Sequence, residues 1–258
     1  MPGVEKLSGY INEGRRIVEK AEERKVTLRL MGAVAIVTHC PRFLGIFTSL
    51  EREITDLDFM GYSKESTMAR KTLQDLGYSP KKLEFEATVS AHGGRGVFYN
   101  EATRLTVDVF FDRLSMCHTI DLRDRLKVDY PTISPADLLL EKLQIVKINE
   151  KDVKDVIVLL REHDVGKGDS DTINHDYISK ILSDDWGFYF TVSENLKKIS
   201  DFLPRFDALS KDDVLDVKAK IEKMSQEIEN RPKSMRWRLR AKIGPARKWY
   251  EDVEEIVR

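Results

Sequence analysis

Apolar residues recur at helical spacing from about Glu5 to Lys25, at Leu7, Ile11, Val18 and Ala21, and predict an amphipathic helix. A short strand over Thr27–Met31 ends at Gly32, and Ala33–His39 reads as a short buried helix stopped near Pro41. Phe43–Glu53 reads as a loop, and Ile54–Gly61 as a strand. A helix from Ser63 to about Leu76 is closed by Gly77 with Pro80 beyond it. Leu83–Ala91, Val97–Asn100 and Arg104–Arg113 are further strands, and His92–Gly96 is a glycine-rich turn. After Pro131 and Pro135 the period becomes helical, with helices over Ala136–Ile148, Lys151–His163, Asp176–Leu182, Ser193–Leu203, Lys211–Glu229 and Arg236–Val257. The order predicts an α+β protein: a mixed β-sheet with flanking helices over residues 1–134, then an all-helical subdomain over 135–258.

Two of these strands carry acids where apolar residues would be expected. In Ile54–Gly61, Asp56 and Asp58 lie two apart, so they project to one face while Leu57 and Phe59 take the other. Asp108 lies within Thr106-Val107-Asp108-Val109-Phe110, and an aspartate inside an apolar strand needs a partner or a metal. Three carboxylates on adjacent strands would form a rigid site of hard oxygens, suited to Mg²⁺ or Mn²⁺ bound together with a substrate phosphate. The chemistry this suggests is metal-assisted nucleotidyl transfer. The glycine-rich turn has two readings, a phosphate cradle or a plain hairpin turn; the second fits better, because no helix start follows it.

Composition narrows the setting. The chain has 258 residues, enough for one large or two small domains with a real core, and its net charge of −1 gives no global pull toward nucleic acid or membrane. Cys40 and Cys117 stand far apart in no ligand-like spacing, which argues against a disulfide scaffold or a zinc site. No signal-like segment and no run long enough to span a bilayer is present, so the expected location is cytoplasmic, with no membrane partner. His39, His92, His118, His163 and His175 show no metal-ligand spacing, and His39 reads as a packing or capping residue.

Gly32 at a strand end, then Thr55-Asp56-Leu57-Asp58-Phe59, then Val107-Asp108-Val109 together resemble the nucleotidyltransferase superfamily with a DNA-polymerase-beta-like palm. Leu30-Met31-Gly32-Ala33-Val34-Ala35, Arg52, the proline-led Pro135–Leu143 helix with Lys142, and Lys151-Asp152-Val153-Lys154-Asp155 are most similar to the AbiEii/AbiGii-like toxin nucleotidyltransferases within it. The resemblance covers about residues 26–162. It implies a palm fold and transfer of a nucleoside monophosphate from an NTP. Asp56, Asp58 and Asp108 would be the catalytic metal ligands, and Asp108 would also assist as base. Gly32 and Ala33 would border the phosphates, and Lys142 would contact the triphosphate, with Asp152 and Asp155 positioning it or the nucleotide. Lys142 reads equally as a core-helix lysine that snorkels, and Asp155 as a helix-surface charge. Ala33 stands where the superfamily usually has glycine or serine, so the enzyme reading runs beside that of a nucleotide- or RNA-binding member of the same fold. A small-molecule nucleotidyltransferase of the aminoglycoside type is a third reading. By that toxin family's habit, a separately encoded antitoxin is an expected partner.

The sharpest charge asymmetry lies between Arg231 and Lys248, with eight Lys/Arg and no acid, and the aromatics Trp237, Trp249 and Tyr250 go with it. One reading is a surface for RNA phosphates; the resemblance to the AbiEii-like toxins implies RNA, such as a tRNA 3′ end, or a protein hydroxyl as the leading acceptors. The other is a solvated helical face whose tryptophans dock on the core. Asp184–Phe190 reads as an aromatic patch packing between two helices.

Overall fold

The structure, a computed structural model, describes residues 2–81 and 94–253. The expected strand Leu83–Ala91, with His92 and Gly93, lies outside the described residues. In chain order the first elements are α1 (Pro2–Glu23), β1 (Leu28–Met31), α2 (Gly32–His39), α3 (Leu44–Ser49), β2 (Asp56–Gly61) and α4 (Ser66–Asp75). Then come β3 (Ser79–Pro80), β4 (Arg95–Asn100), β5 (Leu105–Phe111), β6 (Arg113–Ser115) and β7 (Thr119–Asp121). The remainder is α5 (Pro135–Leu143), α6 (Glu150–Glu162), β8 (Asp164–Gly166), β9 (Thr172–Asn174), α7 (His175–Leu182), α8 (Trp186–Phe202), α9 (Lys211–Asn230) and α10 (Met235–Ala241).

The chain forms two compact units. The first comprises Met1–Pro41, Glu51–Ser115 and Thr119–Ser134; the second comprises Arg42–Leu50, Met116–His118 and Pro135–Arg258. The fold is α+β, with a mixed five-stranded sheet in the first unit in the order β1-β2-β5-β4-β3. Among the described residues of this sheet only β2 and β5 run parallel; the other pairings are antiparallel. A parallel pair needs a crossover, and α4, β3 and β4 supply it between Gly61 and Leu105. Leu57, Phe59, Val107 and Val109 on one face are fully buried, each contributing about 1.5–3 kcal/mol by leaving water. The opposite face of these central strands is the one that carries the aspartates. Leu7, Val18 and Ala21 of α1 are buried, as the helical spacing required, and Ile17 is buried with them, while Ile11 is half-buried.

The second unit is helical apart from a two-stranded parallel pair, β8 with β9. Its helix starts carry side-chain caps that accept from backbone N–H groups: Asn149 from Asp152, Asn174 from Tyr177, Asp185 from Phe188, and Ser234 from Trp237. Ser210 and Asp213 close a reciprocal capping box on α9.

Several boundaries differ from the sequence reading, each for a local reason. Phe43–Glu53 is not a loop throughout, because Leu44–Ser49 is a helix that buries Phe47. Helix α8 begins at Trp186 and not at Ser193, so the aromatic patch forms its opening turns; the Asp185 side chain accepts from Phe188 N at 3.0 Å. Arg95 and Gly96 belong to β4 and not to a turn. The expected helix over Arg236–Val257 ends at Ala241, where Gly244 at φ +60° and Pro245 force a 3-10 turn over Gly244–Ala246. Among the described residues no helix is long and apolar enough to cross a membrane.

Candidate active site

The register of the sheet assembles the acids. Asp58 on β2 lies directly beside Asp108 on β5, and Asp56 lies beside Thr106 on the same face. One carboxylate oxygen from each of Asp56, Asp58 and Asp108 falls within 4.8 Å of the others. Among the described residues, this is the group of acids, histidines or cysteines close enough to share a metal ion. Asp56 and Asp58 are half-buried, whereas Asp108 is only 2% exposed. An all-carboxylate donor set held by two paired strands fits a hard divalent cation such as Mg²⁺ or Mn²⁺.

Gly32 meets this cluster from the other side. Met31 pairs with Asp58 across β1 and β2, so Gly32 follows at the strand end and opens α2. Its φ of +68° is one that side-chain-bearing residues rarely adopt, and a Cβ there would fall 2.5 Å from Asp58 Oδ2. Two separate constraints therefore require glycine: the left-handed backbone and the carboxylate lying against its Cα. Ala33, one residue on, is half-buried in the first turn of α2.

Of two residues that the sequence did not single out, one contacts the acids and the other feels their charge. Arg95 on β4 donates from Nη2 to Asp108 Oδ2 at 2.7 Å. Arg95 pairs with Phe110, and Val97 pairs with Asp108, so the arginine reaches the acid diagonally across the ladder. The guanidinium carbon also lies 5.4 Å from the centroid of the Phe110 ring. Tyr10 of α1 senses the cluster: burial, then the negative charges of Asp56 and Glu53, raise its hydroxyl above the usual value. Neither residue is marked by local spacing, since the β4–β5 register and the packing of α1 bring them there.

The remaining predicted residues form a second cluster, in the second unit. Lys142 Nζ lies 3.2 Å from Asp155 Oδ2, 3.4 Å from Glu141 Oε1 and 3.5 Å from Asp152 Oδ1. Lys142 is 8% exposed and Asp155 fully buried, so the ammonium sits inside a cage of carboxylates rather than on a solvated helix face. In the basic segment Trp237 packs edge-on against Tyr189 at 5.1 Å, and Trp249, the residue just after the segment, packs against Phe190 at 5.1 Å. These tryptophans dock on α8, while Arg236, Arg238 and Lys242 remain exposed. His39 serves packing, with Nε2 at 2.6 Å from Thr132 Oγ1 and 3.2 Å from the Ile133 carbonyl. Cys40 and Cys117 are both buried.

No family model and no curated protein matches the chain. Among solved structures, it is similar to the solution structure of the antibiotic-resistance factor ANT(2'')-Ia. That likeness has 11% sequence identity and a TM-score of 0.40, and it covers 70% of this chain and 95% of that one.

Proposed function

We propose that this chain is a metal-dependent nucleotidyltransferase of the polymerase-beta-like superfamily, moving a nucleoside monophosphate from an NTP to an acceptor hydroxyl. The observation that carries the reading is the Asp56–Asp58–Asp108 cluster abutting Gly32 at the start of α2. In the reaction the acceptor oxygen bonds to the α-phosphorus, the bond from that phosphorus to the bridging oxygen breaks, and pyrophosphate leaves. Asp56, Asp58 and Asp108 would hold the Mg²⁺ or Mn²⁺, which when bound supplies Lewis-acid stabilisation of phosphoryl charge and acidifies the attacking hydroxyl. Asp108 would accept the hydroxyl proton. Gly32 and Ala33 would bring backbone N–H groups close to the phosphates at a helix start. Lys142, held by Asp152 and Asp155, is assigned to nucleotide binding, with the second unit as the substrate-binding subdomain.

For the acceptor we favour RNA, such as a tRNA end, met by the exposed Arg236, Arg238 and Lys242 of the Arg231–Lys248 segment; a protein hydroxyl is the other acceptor of this class. The AbiEii-like resemblance adds a toxin role with a separate antitoxin. A second reading, a small cationic acceptor, is favoured by the acid excess of Glu141, Asp152 and Asp155 around Lys142. The test is incubation with each α-labelled NTP and Mg²⁺ in the presence of total RNA, protein or small hydroxyl-bearing cations of the aminoglycoside type, asking which pool takes up label. Label in RNA that vanishes in Asp56→Asn and Asp58→Asn is the expected result. Incorporation that persists in Asp108→Asn would remove Asp108 from the catalytic set, and NTP binding without transfer to any pool would make the chain a binding module.

A further inference from the structure

Arg95 is the least expected member of the acid site. Its Nη2 occupies Oδ2 of Asp108 at 2.7 Å, and the Asp108 side chain is only 3% exposed, so the contact is shielded from solvent. The guanidinium is only partly satisfied: its Nε is buried and has no hydrogen-bond partner among the described residues. The face of Phe110 holds the group beside the acids without using any of its donors.

We propose that Arg95 is the resident counter-cation of this site, a positioning residue that competes with the metal for Asp108. This rests on the reading of Asp56, Asp58 and Asp108 as metal ligands. Without a divalent ion, three carboxylates within 4.8 Å repel one another, and the guanidinium anchors the most deeply buried of them. When an ion enters, Arg95 places a positive charge against one of the oxygens the ion needs. The two cations cannot both make close contact with Oδ2 without strong mutual repulsion, which the low-dielectric surroundings of Asp108 leave poorly screened. Arg95 therefore weakens metal binding at Asp108 while stabilising the metal-free fold. Once displaced, its fork of donors, including the unfilled Nε–H, suits the oxygens of a phosphate.

The experiment uses the full chain and Mn²⁺ as the probe, with Mn²⁺ affinity read by electron paramagnetic resonance and melting temperature read in chelator and in saturating Mn²⁺. In Arg95→Gln, Mn²⁺ binds at least tenfold more tightly than in wild type, the chelated protein melts lower, and saturating Mn²⁺ narrows that deficit. Arg95→Lys, which keeps the charge, stays within about threefold of wild-type affinity. If Arg95→Gln does not fold, Arg95→Met, which retains much of the side-chain volume, is used for the same comparison. Equal or weaker Mn²⁺ binding in the neutral variants overturns the proposal, as does an equal melting deficit with and without Mn²⁺, the mark of a purely structural arginine. Failure of the underlying metal reading gives a different result: neither wild type nor Arg95→Gln binds Mn²⁺, or binding survives Asp56→Asn and Asp58→Asn.

Discussion

Replacing Gly32 with alanine tests the site at its tightest point. The new methyl carbon would lie 2.5 Å from Asp58 Oδ2, about 0.9 Å short of the 3.4 Å at which ordinary contact begins. The backbone also holds φ at +68°, which costs an L-residue about 1–2 kcal/mol, partly offset by about 0.4–1 kcal/mol from the stiffer unfolded chain. With the clash added, Gly32→Ala is expected to lose about 1–3 kcal/mol, a fall of about 2–4 °C in melting temperature per kcal/mol for a chain of this size. Relief of the clash must come from Asp58, because the opposing atom is its carboxylate oxygen and the surrounding strand is paired on both edges. A displacement approaching 1 Å at a reacting centre costs about 100-fold in rate, so Mn²⁺ affinity and transfer should fall together. Urea unfolding in chelator measures the stability term, and Mn²⁺ titration measures the site. In an Asp58→Ala background the clash is gone, and the penalty of Gly32→Ala should shrink to its backbone part. A Gly32→Ala protein as stable as wild type within about 0.5 kcal/mol, with unchanged Mn²⁺ affinity, would refute the close approach of Gly32 and Asp58.

Three further outcomes are expected. Asp56→Asn removes a negative charge that raises the Tyr10 hydroxyl, so the ultraviolet titration of Tyr10, identified with Tyr10→Phe, should move to lower pH; a fixed midpoint would place Tyr10 away from the cluster. Burial lowers His118 from 6.5 to about 4, and its Nε2 lies 2.8 Å from Thr191 Oγ1, so the folded state holds the ring neutral. The unfolded chain then binds the extra proton between those two values, so stability is full above about pH 6.5 and falls on acidification toward pH 4, by on the order of 3 kcal/mol; His118→Gln should flatten that slope in denaturant titrations. Lys142→Met leaves the fully buried Asp155 without its ammonium contact and should cost about 3–5 kcal/mol, with Lys142→Arg losing less; a near-neutral Lys142→Met in urea unfolding would rule out the carboxylate cage.

Period and punctuation along the chain already encode part of this protein. The alternation through Asp56-Leu57-Asp58-Phe59 put both acids on one strand face, and the helical spacing of Leu7, Val18 and Ala21 specified α1. The switch of period after Pro135 specified the helical second half. Such signals are local, written within a few residues of where they act. Composition obscured others: the Asp185 cap was hidden by an aromatic run that read as packing between two helices, and Phe47 drew a short helix out of a segment without a clear period. How distant segments meet is written in no one stretch of the chain and comes from the folded whole. The parallel register of β2 and β5 sets Asp58 beside Asp108, fifty residues apart in sequence, and the β4 ladder brings Arg95 to the same carboxylate. The same is true of Gly32: the sequence marks it as a strand end, but the requirement for glycine comes from Asp58 Oδ2 across β1 and β2. Strand register is fixed by the joint burial of all the apolar faces in the sheet, so no single segment carries it.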